Sequence, residues 1–137
     1  MVIHAIGLVL IAQVLGRAEV MIQARRWGRS STLLTSMILI GVAGWMLAVL
    51  HGLKAGLWAG AYLLLGAIGS LADAMLYSID SITTRGASGL SLQRDWRMMG
   101  ALESANGMLL FGISTAFLFG ALEHVWERQR WPRKDRV

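Results

Sequence analysis

The stretch from Asp73 to Phe119 does most to limit what this chain can become. It joins a short segment, Asp73–Thr84, to a Gly/Ser-rich turn, Arg85-Gly86-Ala87-Ser88-Gly89. A polar piece follows, Ser91–Arg97, and then 25 residues of apolar helix, Met98–Leu122. A helix needs about 20 apolar residues to cross a bilayer, so only the last piece is long enough. Short helix, glycine-rich loop and spanning helix, in that order, are the plan of a re-entrant loop. Irregular backbone at membrane depth is tolerated only where protein buries it or where it lines a cavity. Ser70-Leu71-Ala72-Asp73 has capping-box spacing and starts the short helix, which ends at the Thr83-Thr84 pair.

The rest of the chain must supply the membrane scaffold for that loop. Apolar residues make up 55% of the 137, which places the chain in the membrane class and within one domain. Val2–Gly16 is apolar except for His4 and Gln13. It is expected to be a first transmembrane helix, reaching span length by continuing through Arg17–Ile22; the alternative is an interfacial helix. It lacks a basic leader and a cleavage site, so a removable signal peptide is not expected. Arg17–Ser31 carries Arg17, Arg25, Arg26 and Arg29 against Glu19. The excess of basic residues reads as a cytoplasmic loop, with Ser31 or Thr32 capping the next helix.

Leu33–Leu53 is the clearest span, at 21 residues. Lys54 follows, and Ala55–Ala72 is apolar again. Two readings compete. Either a tight His51–Lys54 turn starts a separate span, or the outer helix runs on past Lys54 and then descends into the loop. The tail decides, because Arg128, Arg130, Arg133, Lys134 and Arg136 outnumber Glu123, Glu127 and Asp135. Three spans put both basic segments on the cytoplasmic side, and four do not. The expected organisation is a helix and basic loop (1–31), a loop-bearing core (32–122) and a basic cytoplasmic tail (123–137), with the N-terminus outside. Trp58 and Trp96 would lie near the outer interface, and Trp27, Trp126 and Trp131 near the inner one.

Tyr77–Gly89, YSIDSITTRGASG, resembles the pore helix and filter of the potassium-channel superfamily, whose filter reads T-x-G-[YF]-G-D. Trp96–Phe119, WRMMGALESANGMLLFGISTAFLF, is similar to the inner helix of its small bacterial members. Ile3–Leu8 is similar to their first segment. The resemblance implies an all-α integral membrane protein with three transmembrane helices, a re-entrant pore helix and a filter-like loop. It also implies a homotetramer in a bacterial inner membrane, passing an ion through a central pore. Laid over the filter pattern, the chain places Thr84, Arg85, Gly86, Ala87, Ser88 and Gly89. Thr84 and Gly86 match. Ser88 stands where a second glycine permits left-handed backbone, and Ala87 where an aromatic braces the loop. Backbone carbonyls replace the hydration shell of the ion in such filters, so these departures bear on potassium selectivity.

The candidate site therefore comprises the loop Thr83–Gly89 with Asp80 and Glu103 as its support. Asn106, Gly107, Ser114 and Thr115 are candidates for the inner-helix gate or cavity. An ionisable group at membrane depth is a functional candidate by default. Arg85 has three placements. It pairs with Asp80 or Glu103 behind the loop, or faces the axis as a ring that repels cations, or plugs the loop. Asp80 is either Arg85's partner or a carboxylate at the aqueous mouth. Glu103 anchors the loop from behind or lies near the outer interface. Gly107 and Gly112 interrupt the inner helix, as gating hinges or as points of close packing. Asn106, Ser114 and Thr115 line a cavity or form interhelical hydrogen bonds.

Other classes find no support in the motifs. No cysteine is present, and His4, His51 and His124 are far apart, so no disulfide, metal or cofactor is expected. No nucleophile elbow, phosphate loop or dinucleotide fingerprint appears, so catalysis is not expected. The net charge of +5 sits in the two basic clusters and reads as topology and lipid contact, not nucleic-acid binding. A non-conducting accessory or scaffold protein that keeps the channel fold is the alternative. A solute transporter would require a central acid in an early span, which is missing.

Overall fold

The computed structural model describes residues 1–24 and 29–130. The regular elements among them are all helical: α1 (Val2–Ala24), α2 (Arg29–Leu64), α3 (Leu71–Ile82) and α4 (Arg97–Arg130), with a 3₁₀ turn at Arg94–Trp96. Three stretches are long and apolar enough to cross a membrane: Val2–Met21, Leu34–Leu64 and Arg94–His124. At about 1.5 Å per residue, α3 is roughly 18 Å long, well short of a hydrocarbon core of about 30 Å.

Helix boundaries differ from the sequence reading in several places. α1 runs through Arg17 and Glu19 to Ala24, and α2 begins at Arg29, so most of the expected Arg17–Ser31 loop is helix. The Ser31/Thr32 cap falls inside α2 for the same reason. Polar residues without proline or glycine breaks allow a helix to continue past its apolar part. Arg25, Arg26 and Trp27 lie outside the described residues. α2 is continuous through His51 and Lys54, which removes the tight-turn reading of that segment. α4 passes Gly107 and Gly112 unbroken and extends to Arg130, eight residues beyond the predicted end at Leu122. The first part of the expected tail is therefore helical, while Trp131, Arg133, Lys134 and Arg136 lie outside the described residues.

Two helix ends are built alike. At the end of α2, Gly66 N–H donates to Leu63 O and Ala67 N–H to Tyr62 O, with Gly66 at φ +67°. At the end of α3, Thr84 N–H donates to Ser81 O and Arg85 N–H to Asp80 O, with Thr84 at φ +55°. Both are Schellman caps. Glycine adopts the left-handed position freely, whereas a β-branched threonine is strained there by about 1–2 kcal/mol. α3 ends at Ile82 with Thr83 as its C-cap, at the expected Thr83-Thr84 stop. Its start follows from the sequence: Ser70 Oγ accepts from Asp73 N–H at 3.1 Å as the N-cap.

The chain forms two compact units. The first comprises Ala48–Gly112 with Met1, and the second Val2–Leu47 with the segment from Ile113. In the first unit Ala59, Tyr62, Ala67, Ala74 and Leu92 form the core. Trp58 and Trp96, both half-buried, pack against it. In the second unit Ile11, Ala43 and Leu47 are buried. There His4 Nε2 and Ser114 Oγ lie 3.0 Å apart, joining α1 to α4.

Candidate functional site

The candidate site lies in the first unit, where α3 gives way to the loop after Ile82. Two residues before that end, Asp80 is buried at 5% exposure. Arg85 Nε donates to Asp80 Oδ1 at 2.8 Å, Ala87 N–H to Oδ1 at 3.1 Å and Ser88 N–H to Oδ2 at 2.9 Å. The loop is thus wrapped around one carboxylate. The Arg85 guanidinium, and after it the Ser88 and Ala87 amides, hold the Asp80 carboxyl well below the usual carboxylate range. Arg85 stays 60% exposed while making this contact.

The amide contacts also orient the loop carbonyls. The described residues have no cis peptide bonds. In a trans peptide, N–H and C=O point to opposite sides. With the Ala87 and Ser88 amides turned to Asp80, the carbonyls of Gly86 and Ala87 face away from it. Gly86 and Gly89 both take positive φ, at +65° and +71°. A polar cavity of about 440 Å³ adjoins the loop, with Asp80, Thr84, Ser88 and Ser104 in its wall. Thr83 Oγ1 donates back to Ile79 O at 2.7 Å, which closes the helix end.

Glu103 supports a different place from the one expected of it. It is fully buried and makes no contact with Arg85; Tyr62 Oη donates to its Oε2 at 2.6 Å, and Ser78 Oγ hydrogen-bonds its Oε1. Ser78 Oγ also lies 2.9 Å from Ala55 O. The acid of α4 thereby ties α2 and α3 together. Tyr62 and Ser78 were missed by sequence reasoning, since neither carries a charge or a motif. Tyr62 adds an edge-on contact with Tyr77, ring centroids 5.3 Å apart.

Gly107 marks a close approach of the α3 backbone to α4. A Cβ there would press on the carbonyl oxygen of Ile82 and lie 2.9 Å from its Cα. Gly100, one helical heptad earlier, gives room to Tyr77 in the same way. Gly112 has nothing within 4 Å of such a Cβ. Within the chain, close packing belongs to Gly107 and not to Gly112. Asn106 is half-buried and Thr115 exposed. Ser114 belongs to the second unit and its hydrogen bond with His4. Lys54, 6% exposed, is a buried lysine in α2, with His51 one turn before it stacked on Phe111 at 4.4 Å.

No group of acids and histidines among the described residues is arranged to hold a metal ion. Compared with family models, curated proteins and solved structures, the chain matches none.

Proposed function

We propose that this chain is the subunit of an ion channel of potassium-channel-like architecture, in which four copies surround a central pore in a membrane. On this reading α3 and the Thr83–Gly89 loop enter the membrane and return, the loop forms the constriction, and α4 lines the cavity below. The observation that carries the reading is the loop wound on Asp80. A helix too short to span ends in a capped turn, and the peptide dipoles after it are aligned by one carboxylate. The Gly86 and Ala87 carbonyls face away from that anchor, as carbonyls that replace an ion's hydration shell must. Residues 83–87 are exposed in the single chain, which suits a surface completed around an axis.

A second reading rests on the Arg85–Asp80 ion pair. A loop locked by its own arginine also suits an accessory protein that keeps the architecture and passes no ion. Ion flux from liposomes containing the purified protein separates the two, with Arg85→Val measured beside the wild type. Flux in the wild type is the expected result, and its ion preference reports whether Arg85 reaches the path. Flux in Arg85→Val alone would identify the accessory reading, with the arginine closing the pore. Silence in both, with the oligomer intact, would remove the channel proposal.

A further inference from the structure

The polar cavity beside the loop carries hydroxyls that nothing in the described chain uses. It measures about 440 Å³ and is bounded by α3, the loop and α4, with Ser81, Thr84, Ser88 and Ser104 around it. That volume lies in the range of small-molecule sites, about 300–1,000 Å³. Ser88 Oγ accepts from Leu90 N–H at 3.4 Å. The hydroxyls of Ser81, Thr84 and Ser104 make no hydrogen bond among the described residues. Thr84 is also the strained residue, held at φ +55°. No hydrogen bond of its own hydroxyl offsets that strain within the described chain.

The wall offers no uncompensated charge. Its one acid is Asp80, whose carboxylate is matched by the Arg85 guanidinium and engaged by the Ala87 and Ser88 amides. Neither Arg85 nor Glu103 borders the cavity. An ion of either sign would shed its water there without a counter-charge, which is costly. A hydroxyl both donates and accepts, so a set of them suits a ligand whose groups do the same. We propose that this cavity binds a small neutral polyol, whose hydroxyls pair with those of Ser81, Thr84 and Ser104. Backbone strain persists at ligand clamps, and Thr84 is placed as one. A free sugar and the headgroup of a glycolipid share this chemistry. Binding does not require that the loop conduct. Absence of ion flux would leave the polyol site standing, and absence of binding would leave the channel standing.

The test uses the full chain in nanodiscs of phosphatidylcholine at mildly acidic pH, with binding followed by saturation-transfer NMR. Glucose is the neutral probe, and glucosamine and glucuronate are its cationic and anionic counterparts on the same ring. Saturable glucose binding is expected, with both charged sugars bound about tenfold more weakly or less. Ser81→Ala and Ser104→Ala are each expected to weaken glucose binding by about two- to tenfold, as loss of one hydrogen bond does. Thr84→Gly is expected to weaken it equally without lowering the thermal unfolding midpoint, because glycine takes the left-handed position freely. That variant separates loss of the contact from loss of the fold. A photoreactive glucosyl lipid in the same nanodiscs identifies the source. Saturable crosslinking of the lipid near Ser104, without binding of free glucose, would support the proposal with the polyol carried on the membrane, provided that the same three variants weaken it. Equal binding of the three sugars would overturn the proposal. So would glucose binding unmoved in all three variants, or failure of both glucose and the glucosyl lipid to bind.

Discussion

Two carboxylates in the first unit are buried for different purposes, and their partners show it. Asp80 accepts from one guanidinium and two backbone amides, all of them on the loop. Because its folded-state value is depressed, this contribution is complete above the ordinary carboxylate value of about 4 and is lost as pH falls below it. Hydrogen-exchange protection of the Ala87 and Ser88 amides is therefore expected to hold from neutral pH to about pH 5 and to decline only in stronger acid. In Asp80→Asn it should be low throughout; unchanged protection in that variant would mean that something else shapes the loop. Glu103 instead accepts from Tyr62 and Ser78 and holds helices. Removing one donor leaves a buried acceptor short of a partner, at a cost of about 1–3 kcal/mol. Tyr62→Phe and Ser78→Ala should each lower the unfolding midpoint by that measure. The double variant should depart from the sum, since both act on one group. Additive losses would show that the two contacts are independent.

At the scale of elements, the glycines of α4 carry different weights. Gly107→Ala forces a methyl group onto the Ile82 backbone, and overpacking of that kind costs roughly 1–3 kcal/mol. Gly112→Ala adds a methyl group in open space and gains up to about 1 kcal/mol from helix propensity. Thermal unfolding of the two variants in detergent should move in opposite directions. If Gly107→Ala were as benign as Gly112→Ala, α3 would not rest on α4 in solution. The ends of α2 and α3 show the same economy. One cap geometry appears at both, with glycine where the turn is only structural and strained Thr84 where the candidate site begins. Strain that persists at such a position is a recognised mark of functional sites.

For the whole molecule the decisive feature is apolar surface. Leu34, Met37, Trp45, Met98, Leu109 and Phe119 are among many large apolar side chains left exposed. Only 11–17% of each span window is buried within the chain. Exposed apolar surface on this scale marks a membrane or a protein interface. The proposed pore requires that part of it be covered by further copies. Light scattering of the protein in detergent, corrected for bound detergent, is expected to give four times the chain mass of 15.0 kDa. A monomeric mass under conditions that preserve the fold would remove the shared pore.

The helices were legible from the sequence because their causes are local. Three apolar stretches long enough to span, the Ser70 cap and the shortness of α3 follow from residues within a few positions of one another. Their ends were less legible, since polar residues at the ends of α1, α2 and α4 let those helices run on. Lys54 left open a boundary, because charge is costly in apolar surroundings, but the two basic clusters favoured a helix running past it, and α2 does. The choice of partners was decided only in three dimensions. Arg85 lies five residues from Asp80 and was readable as its partner, with Glu103 an equal candidate. Glu103 is claimed by Tyr62 and Ser78, 41 and 25 residues away, and nothing local in their neighbourhoods announces it. The approach of Ile82 to Gly107 has the same character. A hydrogen bond or a packed backbone between distant segments depends on how helices are laid together, and only the tertiary structure determines that.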